Sequence, residues 1–120
     1  MAIKVRYTTM IVKNMTESLE FYTEVMGFTV DSEFKPQPET RIVILNCGGG
    51  ALLELIQNDA YDVGLYSIGT DVDDLDKTLE HLKSHGILPE GAITPTLVGR
   101  MAFVRDPNGI NIALIEHSEH

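Results

Sequence analysis

Laid on itself at an offset of about 60 positions, the chain repeats its own pattern. Val12 meets Val72, Asn14 meets Asp74, Met15 meets Leu75, and Ser18-Leu19 meets Thr78-Leu79. Gly27 meets Gly86 after a one-residue slip, and residues 41–57 meet residues 100–116. Identities are few, but the order of elements is the same in both halves: strand, helix, three strands. A duplication of this kind restricts the fold to arrangements in which two copies of one unit complete each other.

Local patterns fill in each copy. Residues 4–12 alternate apolar and polar side chains, the period of a strand. Asn14 is the expected helix cap, with Glu17 three residues on in a capping-box pattern. Met15, Leu19, Tyr22 and Met26 fall at i, i+4, i+7 and i+11, one stripe of an amphipathic helix, and Gly27 is its expected stop. Residues 28–34 read as the next strand. Pro36 and Pro38 then mark a loop, because proline cannot donate to a sheet ladder. Residues 41–46 and 51–57 read as strands joined by Cys47-Gly48-Gly49-Gly50.

The second copy begins with a strand over residues 66–72. Asp73 is the expected cap of a helix carrying Leu75, Leu79 and Leu82 on one face, and Gly86 closes it. Pro89 and Pro95 interrupt the segment after that helix. Residues 100–105 and 110–116 read as strands joined by the turn Asp106-Pro107-Asn108-Gly109.

A short mixed sheet with a helix on one face leaves its other face uncovered. Two copies set edge to edge curve into a trough lined by alternate residues of each strand. The expected fold is therefore α+β: two βαβββ modules forming a cupped mixed β-sheet, with the helices on the outer face. Residues 1–120 are expected to form a single domain, module one spanning about 1–60 and module two about 61–120.

Composition narrows the partners. Hydrophobic residues make up 43% of the 120 and charged residues 22%, proportions of a chain that buries a core. The apolar runs are strand-sized, such as Ile42-Val43-Ile44-Leu45, too short for a bilayer. The formal net charge of -9 argues against nucleic acid, which needs a basic face. It suits solubility and, where an acidic cavity exists, a cationic ligand. The first residues lack the apolar core of a signal peptide, and the single cysteine, Cys47, has no intrachain partner. A cytoplasmic location without membrane association is expected.

Three segments carry a family resemblance: Ser18-Leu19-Glu20-Phe21-Tyr22 running into Val25-Met26-Gly27-Phe28, then Ala51-Leu52-Leu53-Glu54-Leu55, then Phe103-Val104-Arg105-Asp106-Pro107-Asn108-Gly109-Ile110-Asn111-Ile112. With them the whole chain resembles the glyoxalase, bleomycin-resistance and extradiol-dioxygenase superfamily, the vicinal oxygen chelate fold. The resemblance implies homodimers, with each trough completed within one chain or across two. It also implies a divalent-metal site in metal-using members, built from four inward positions that usually hold His, Gln or Glu. Here those positions fall at Tyr7, Ser67, Glu54 and Ala113. Only Glu54 is a usual ligand, so no metal and no cofactor are expected. His81 and His85, on or just after the second helix, and His117 and His120, in the C-terminal tail, are expected to be solvated rather than ligating.

If the trough forms, alternation lines it with Tyr7, Thr9, Ile11, Leu52, Glu54 and Ile56. The second half adds Leu65, Ser67 and Gly69, then Met101, Phe103 and Arg105, then Asn111, Ala113 and Ile115. Glu54 is the candidate catalytic residue: a carboxylate among apolar side chains is a base or a cation partner. The competing reading pairs it with Arg105 or Arg41 and gives it no chemistry. Tyr7 either contacts a ligand or fills the space a metal would take. Arg100 lies at the trough mouth or in solvent. Three functions remain: metal-free binding of a small, cationic or aromatic molecule; a lactoylglutathione-lyase-like lyase or isomerase using Glu54 as base; and a degenerate dimeric scaffold. The first leads.

Overall fold

The alternating N-terminal segment becomes β1 (Ile3–Val12), and the Asn14 side chain caps α1 (Met15–Leu19) by accepting the Glu17 amide at 3.0 Å. A computed structural model describes residues 3–118. The remaining elements are β2 (Thr29–Gln37), β3 (Thr40–Asn46), β4 (Leu52–Gln57), β5 (Gly64–Val72), α2 (Leu75–Ser84), β6 (Thr94–Pro95), β7 (Gly99–Arg105) and β8 (Asn111–His117). The fold is α+β, and its order repeats as the duplication requires.

The chain divides into two compact units. One is Tyr7–Tyr66; the other combines the described residues up to Arg6 with those from Ser67 onward. In the first, the strands lie in the order β2-β3-β4-β1. β1 runs parallel to β4, and the other neighbours are antiparallel. In the second the order is β5-β8-β7-β6, with β5 parallel to β8 and the rest antiparallel. Each half is thus a mixed four-stranded sheet of the same design.

One face of each sheet is packed by its helix. Met15 sinks among Val12, Val43, Leu45 and Leu55, all buried. In the other unit Leu75 sits with Val72, Ala102, Val104 and Leu114, while Leu79 and Leu82 pack around them. The two helices are also tied to their sheets in matching ways. The Met15 amide donates to the side-chain carbonyl of Gln57, and the Leu75 amide donates to the carboxylate of Glu116 at 2.7 Å.

Four local expectations change. After Leu19 the first helix widens into a π-helical segment, Glu20–Val25, closed by the Met26 amide donating to the Phe21 carbonyl at 3.0 Å. The wider turn breaks the 3.6-residue period, so Met26 leaves the stripe and is 51% exposed. Tyr22 stays with the core and stacks on Phe28, with centroids 6.2 Å apart. Second, β2 continues through Pro36 to Gln37, which pairs with Thr40 beyond a register shift. Because β2 is an edge strand and the proline lies in the shift, no ladder donor is lost. Third, Asp74 and not Asp73 caps α2, accepting the Lys77 amide at 3.0 Å. Fourth, Pro95 does not interrupt pairing but lies in β6, opposite Arg100 at the sheet edge.

Candidate functional site

The face of the Tyr7–Tyr66 unit opposite its helix is set by strand register. Tyr7, Thr9 and Ile11 on β1 stand beside Leu52, Glu54 and Ile56 on β4. β3 adds Ile44 opposite Glu54 and Ile42 opposite Ile56. Residues two apart on a strand share a face, so these side chains form one surface.

Glu54 is half-buried, and its Oε1 accepts the Thr9 hydroxyl at 2.7 Å. Thr9 is itself buried, so the donor end of this hydrogen bond is shielded from water. Both arginines considered as its partner carry ion pairs of their own. Arg41 binds Glu33 at 2.7 Å, and Arg105 binds Glu90 at 3.2 Å. Glu54 keeps a second carboxylate oxygen to offer a donor.

Beyond Ile56 the face opens into a cavity of about 240 Å³. Ile11, Ile42 and Ile56 line it, as do Tyr61 and Tyr66, whose rings meet edge to face with centroids 5.4 Å apart. The Asn58 amide nitrogen donates to the Thr40 hydroxyl at 2.8 Å on the same wall. Ile11 and Ile56 were expected ligand contacts. Ile42, Tyr61, Tyr66 and Asn58 were not, although the pairing of β3 with β4 puts Ile42 level with Ile56.

In the other unit Ser67 and Gly69 on β5 stand beside Asn111 and Ala113 on β8. Phe103 faces Ala113, Arg105 faces Asn111, and Met101 faces Ile115. Ser67 and Ala113 are buried, Met101, Phe103 and Asn111 are half-buried, and Arg105 is exposed. Leu65, expected on the same wall, is exposed and belongs to the Tyr7–Tyr66 unit.

This face also carries an ionisable side chain that the strand pattern left outside β8. His117 is the last residue of β8, not part of a loose tail, and its Nε2 lies 2.9 Å from an Asp71 carboxylate oxygen. The other Asp71 oxygen accepts from Arg6 at 3.0 Å. Burial pulls the Asp71 carboxyl upward, but hydrogen bonds from His117 and Arg6, with their charges, outweigh it and hold it below its ordinary value. His117 continues the alternation of Asn111, Ala113 and Ile115 by one step, which is the signal that marked it. His81 and His85 are exposed as expected, and His120 lies outside the described residues. Arg100 is held by Glu116 at 2.8 Å and Asp76 at 2.9 Å.

The positions that the resemblance assigns to a metal hold a phenol, a carboxylate, a buried hydroxyl and, at Ala113, a methyl group 1% exposed. Among the described residues no three His, Cys, Asp or Glu side chains gather where they could hold an ion. This donor set does not fit a divalent metal, which draws on several imidazoles or carboxylates.

A model of the Glyoxalase/Bleomycin resistance protein/Dioxygenase superfamily matches residues 4–114. The chain belongs to this superfamily. Among superfamily relatives it is 31% identical to the lactoylglutathione lyase of Neisseria meningitidis serogroup B, over 95% of this chain and 91% of that one. It is 29% identical to a probable lactoylglutathione lyase of Vibrio parahaemolyticus, over 97% and 92%. Solved structures of the same fold include a hypothetical protein from Bacillus halodurans C-125, with a TM-score of 0.80 at 17% identity over 100% of this chain and 98% of that one. They also include methylmalonyl-CoA epimerase from Mycobacterium tuberculosis, with a TM-score of 0.76 at 20% identity over 97% and 89%.

Proposed function

We propose that this superfamily member binds a small molecule without a metal, on the sheet face centred on Glu54. The observation that carries the reading is the Thr9–Glu54 hydrogen bond at 2.7 Å, with Arg41 of the same unit bound to Glu33 instead. Thr9 satisfies one oxygen and fixes its orientation. The other is left to meet a hydrogen-bond donor or a cation on a ligand. The surrounding Ile44, Leu52 and Ile56 are half-buried and give such a contact an apolar rim. Ser67, Met101, Phe103, Arg105, Asn111 and Ala113 line the corresponding face of the second unit. We assign them to ligand contact on the same logic.

A second reading, lyase or isomerase chemistry with Glu54 as base, draws support from the relatives named lactoylglutathione lyase. The chemistry of the donor set favours binding over it. A homodimer in the cytoplasm completes the proposal, and light scattering on the purified protein checks its subunit count.

The deciding experiment is calorimetric titration of Ni, Zn, Mn and Mg into chelator-treated protein. It is paired with an assay of lactoylglutathione formation and a titration of small primary amines. The expected result is no metal heat beyond dilution, no turnover, and amine binding lost in Glu54→Ala. Metal binding tighter than about 1 µM, roughly 8 kcal/mol, that disappears in Glu54→Ala and supports turnover would instead establish the lyase.

A further inference from the structure

We infer that the cavity beside Ile56 is a subsite for a flat, uncharged ring, so that the ligand carries an aromatic or similarly planar apolar group of one or two fused rings. The inference rests on the reading that this face binds a small molecule, and it adds which part of the molecule goes where.

Three observations carry it. The floor is aliphatic and continuous across three strands, since Ile56 stands level with Ile11 on one side and Ile42 on the other. The wall is aromatic. Tyr61 and Tyr66 meet at an interplanar angle of 72°, and both remain exposed, Tyr66 at 38%. Rings held edge to face leave a ring surface open to a third ring, the offset geometry that aromatic groups favour.

The polar atoms of Asn58 are already engaged. Its amide nitrogen donates to Thr40 at 2.8 Å, and its carbonyl accepts the Ala60 amide at 2.8 Å. That second bond, to the side-chain oxygen, together with the Tyr61 amide donating to the Asn58 backbone carbonyl at 3.2 Å, shapes the turn that presents Tyr61. No charged side chain lines the cavity among the described residues. Gln37, which also lines the cavity, is exposed and keeps its amide in water. A neutral ring therefore enters without breaking the Asn58 hydrogen bonds, whereas a charged group there finds no counter-charge.

Volume sets the size. A dry cavity of about 150 Å³ holds a benzene ring, so the 240 Å³ here has room for a second fused ring. Glu54 lies two residues from Ile56 on the same strand face, about 6.6 Å along it. A donor group one or two bonds from the ring then falls toward the carboxylate.

The test uses two probes, 1-naphthylmethanol and 1-naphthylmethylamine, titrated into protein carrying labelled isoleucine methyl groups. The neutral alcohol is expected to move the methyl resonances of Ile11, Ile42 and Ile56. Tyr61→Ala and Tyr66→Ala are each expected to weaken both probes about tenfold or more. Ile42→Phe, which fills the cavity, is expected to abolish the shifts while the remaining spectrum stays folded. Isoleucine methyls unmoved at millimolar alcohol, or tyrosine variants that bind as wild type does, overturn the ring subsite. Glu54→Gln separates the two ideas. If it weakens the amine while the isoleucine methyls never move, the ring subsite falls and the Glu54 reading stands. If the methyls move and Glu54→Gln leaves the amine unaffected, the ring subsite stands and the role given to Glu54 falls.

Discussion

The Thr9 hydroxyl and the Glu54 carboxylate meet at 2.7 Å across neighbouring parallel strands, on a face where Ile11, Ile44, Leu52 and Ile56 adjoin them. Thr9→Val keeps the shape and β-branching but removes the donor, leaving a half-buried carboxylate without its protein partner. The expected cost is about 1–3 kcal/mol, read as a lower urea midpoint with an unchanged slope. Thr9→Ser retains the hydroxyl and should recover most of it. A Thr9→Val variant as stable as wild type would show that water satisfies Glu54 equally well.

Gly99 is a glycine for lack of room. A Cβ built there runs into the Glu116 carbonyl oxygen, and that oxygen is backbone in a paired strand, with no means of moving aside. Gly99→Ala is expected to cost about 3 kcal/mol or to prevent folding at 37 °C. Gly109→Ala, with a positive φ of 83° but open space around it, should cost only about 1–2 kcal/mol. Thermal melts of the two variants side by side test the ordering.

Glu116 gives the fold an acid-sensitive tie. The Arg100 hydrogen bond, then the Leu75 amide, hold its carboxyl below the ordinary value of 4.5. A depressed folded-state pKa means the stabilisation is complete above that value and is lost as pH falls through the folded one. Urea midpoints measured from pH 7 down to about pH 2 should therefore fall more steeply for wild type than for Glu116→Gln. The amide of that variant still accepts from Leu75 and does not titrate.

The two helix caps are interchangeable in kind. Asn14 accepts the Glu17 amide and Asp74 accepts the Lys77 amide, each at 3.0 Å. Asn14→Ala and Asp74→Ala should each cost about 1 kcal/mol. Placing serine at either position should recover most of that loss in the same denaturation assay.

Legibility differed between the fold and the site. Strands β1, β3, β4, β7 and β8 were readable because alternation and glycine turns are local signals, and the offset that pairs Asn14 with Asp74 held the true cap of α2 without being read that way. Reading Asp73 from its own neighbourhood did not. Met26 was misplaced because a hydrophobic stripe presumes one helical period, and the bond from Met26 to Phe21 changes that period. Within the site, Thr9, Ile11, Leu52, Glu54 and Ile56 share a face as expected from alternation alone. The partner of Glu54 depended on the register of β1 against β4, which no local pattern encodes. Tyr61 and Tyr66 were invisible for a related reason, since a turn shaped by Asn58 brings one ring against the other. His117 was lost by ending a strand one residue early.

The division of the chain has a consequence for how it is made. The Tyr7–Tyr66 unit is one continuous stretch, so all its parts exist once residue 66 has left the ribosome. The other unit draws on residues before Tyr7 as well as those after Tyr66, and it waits for β7 and β8. Translation therefore imposes an order on two halves of near-identical design. The half bearing Glu54 and the tyrosine pair is complete in sequence first, and its sister can close only once its last strands have been made.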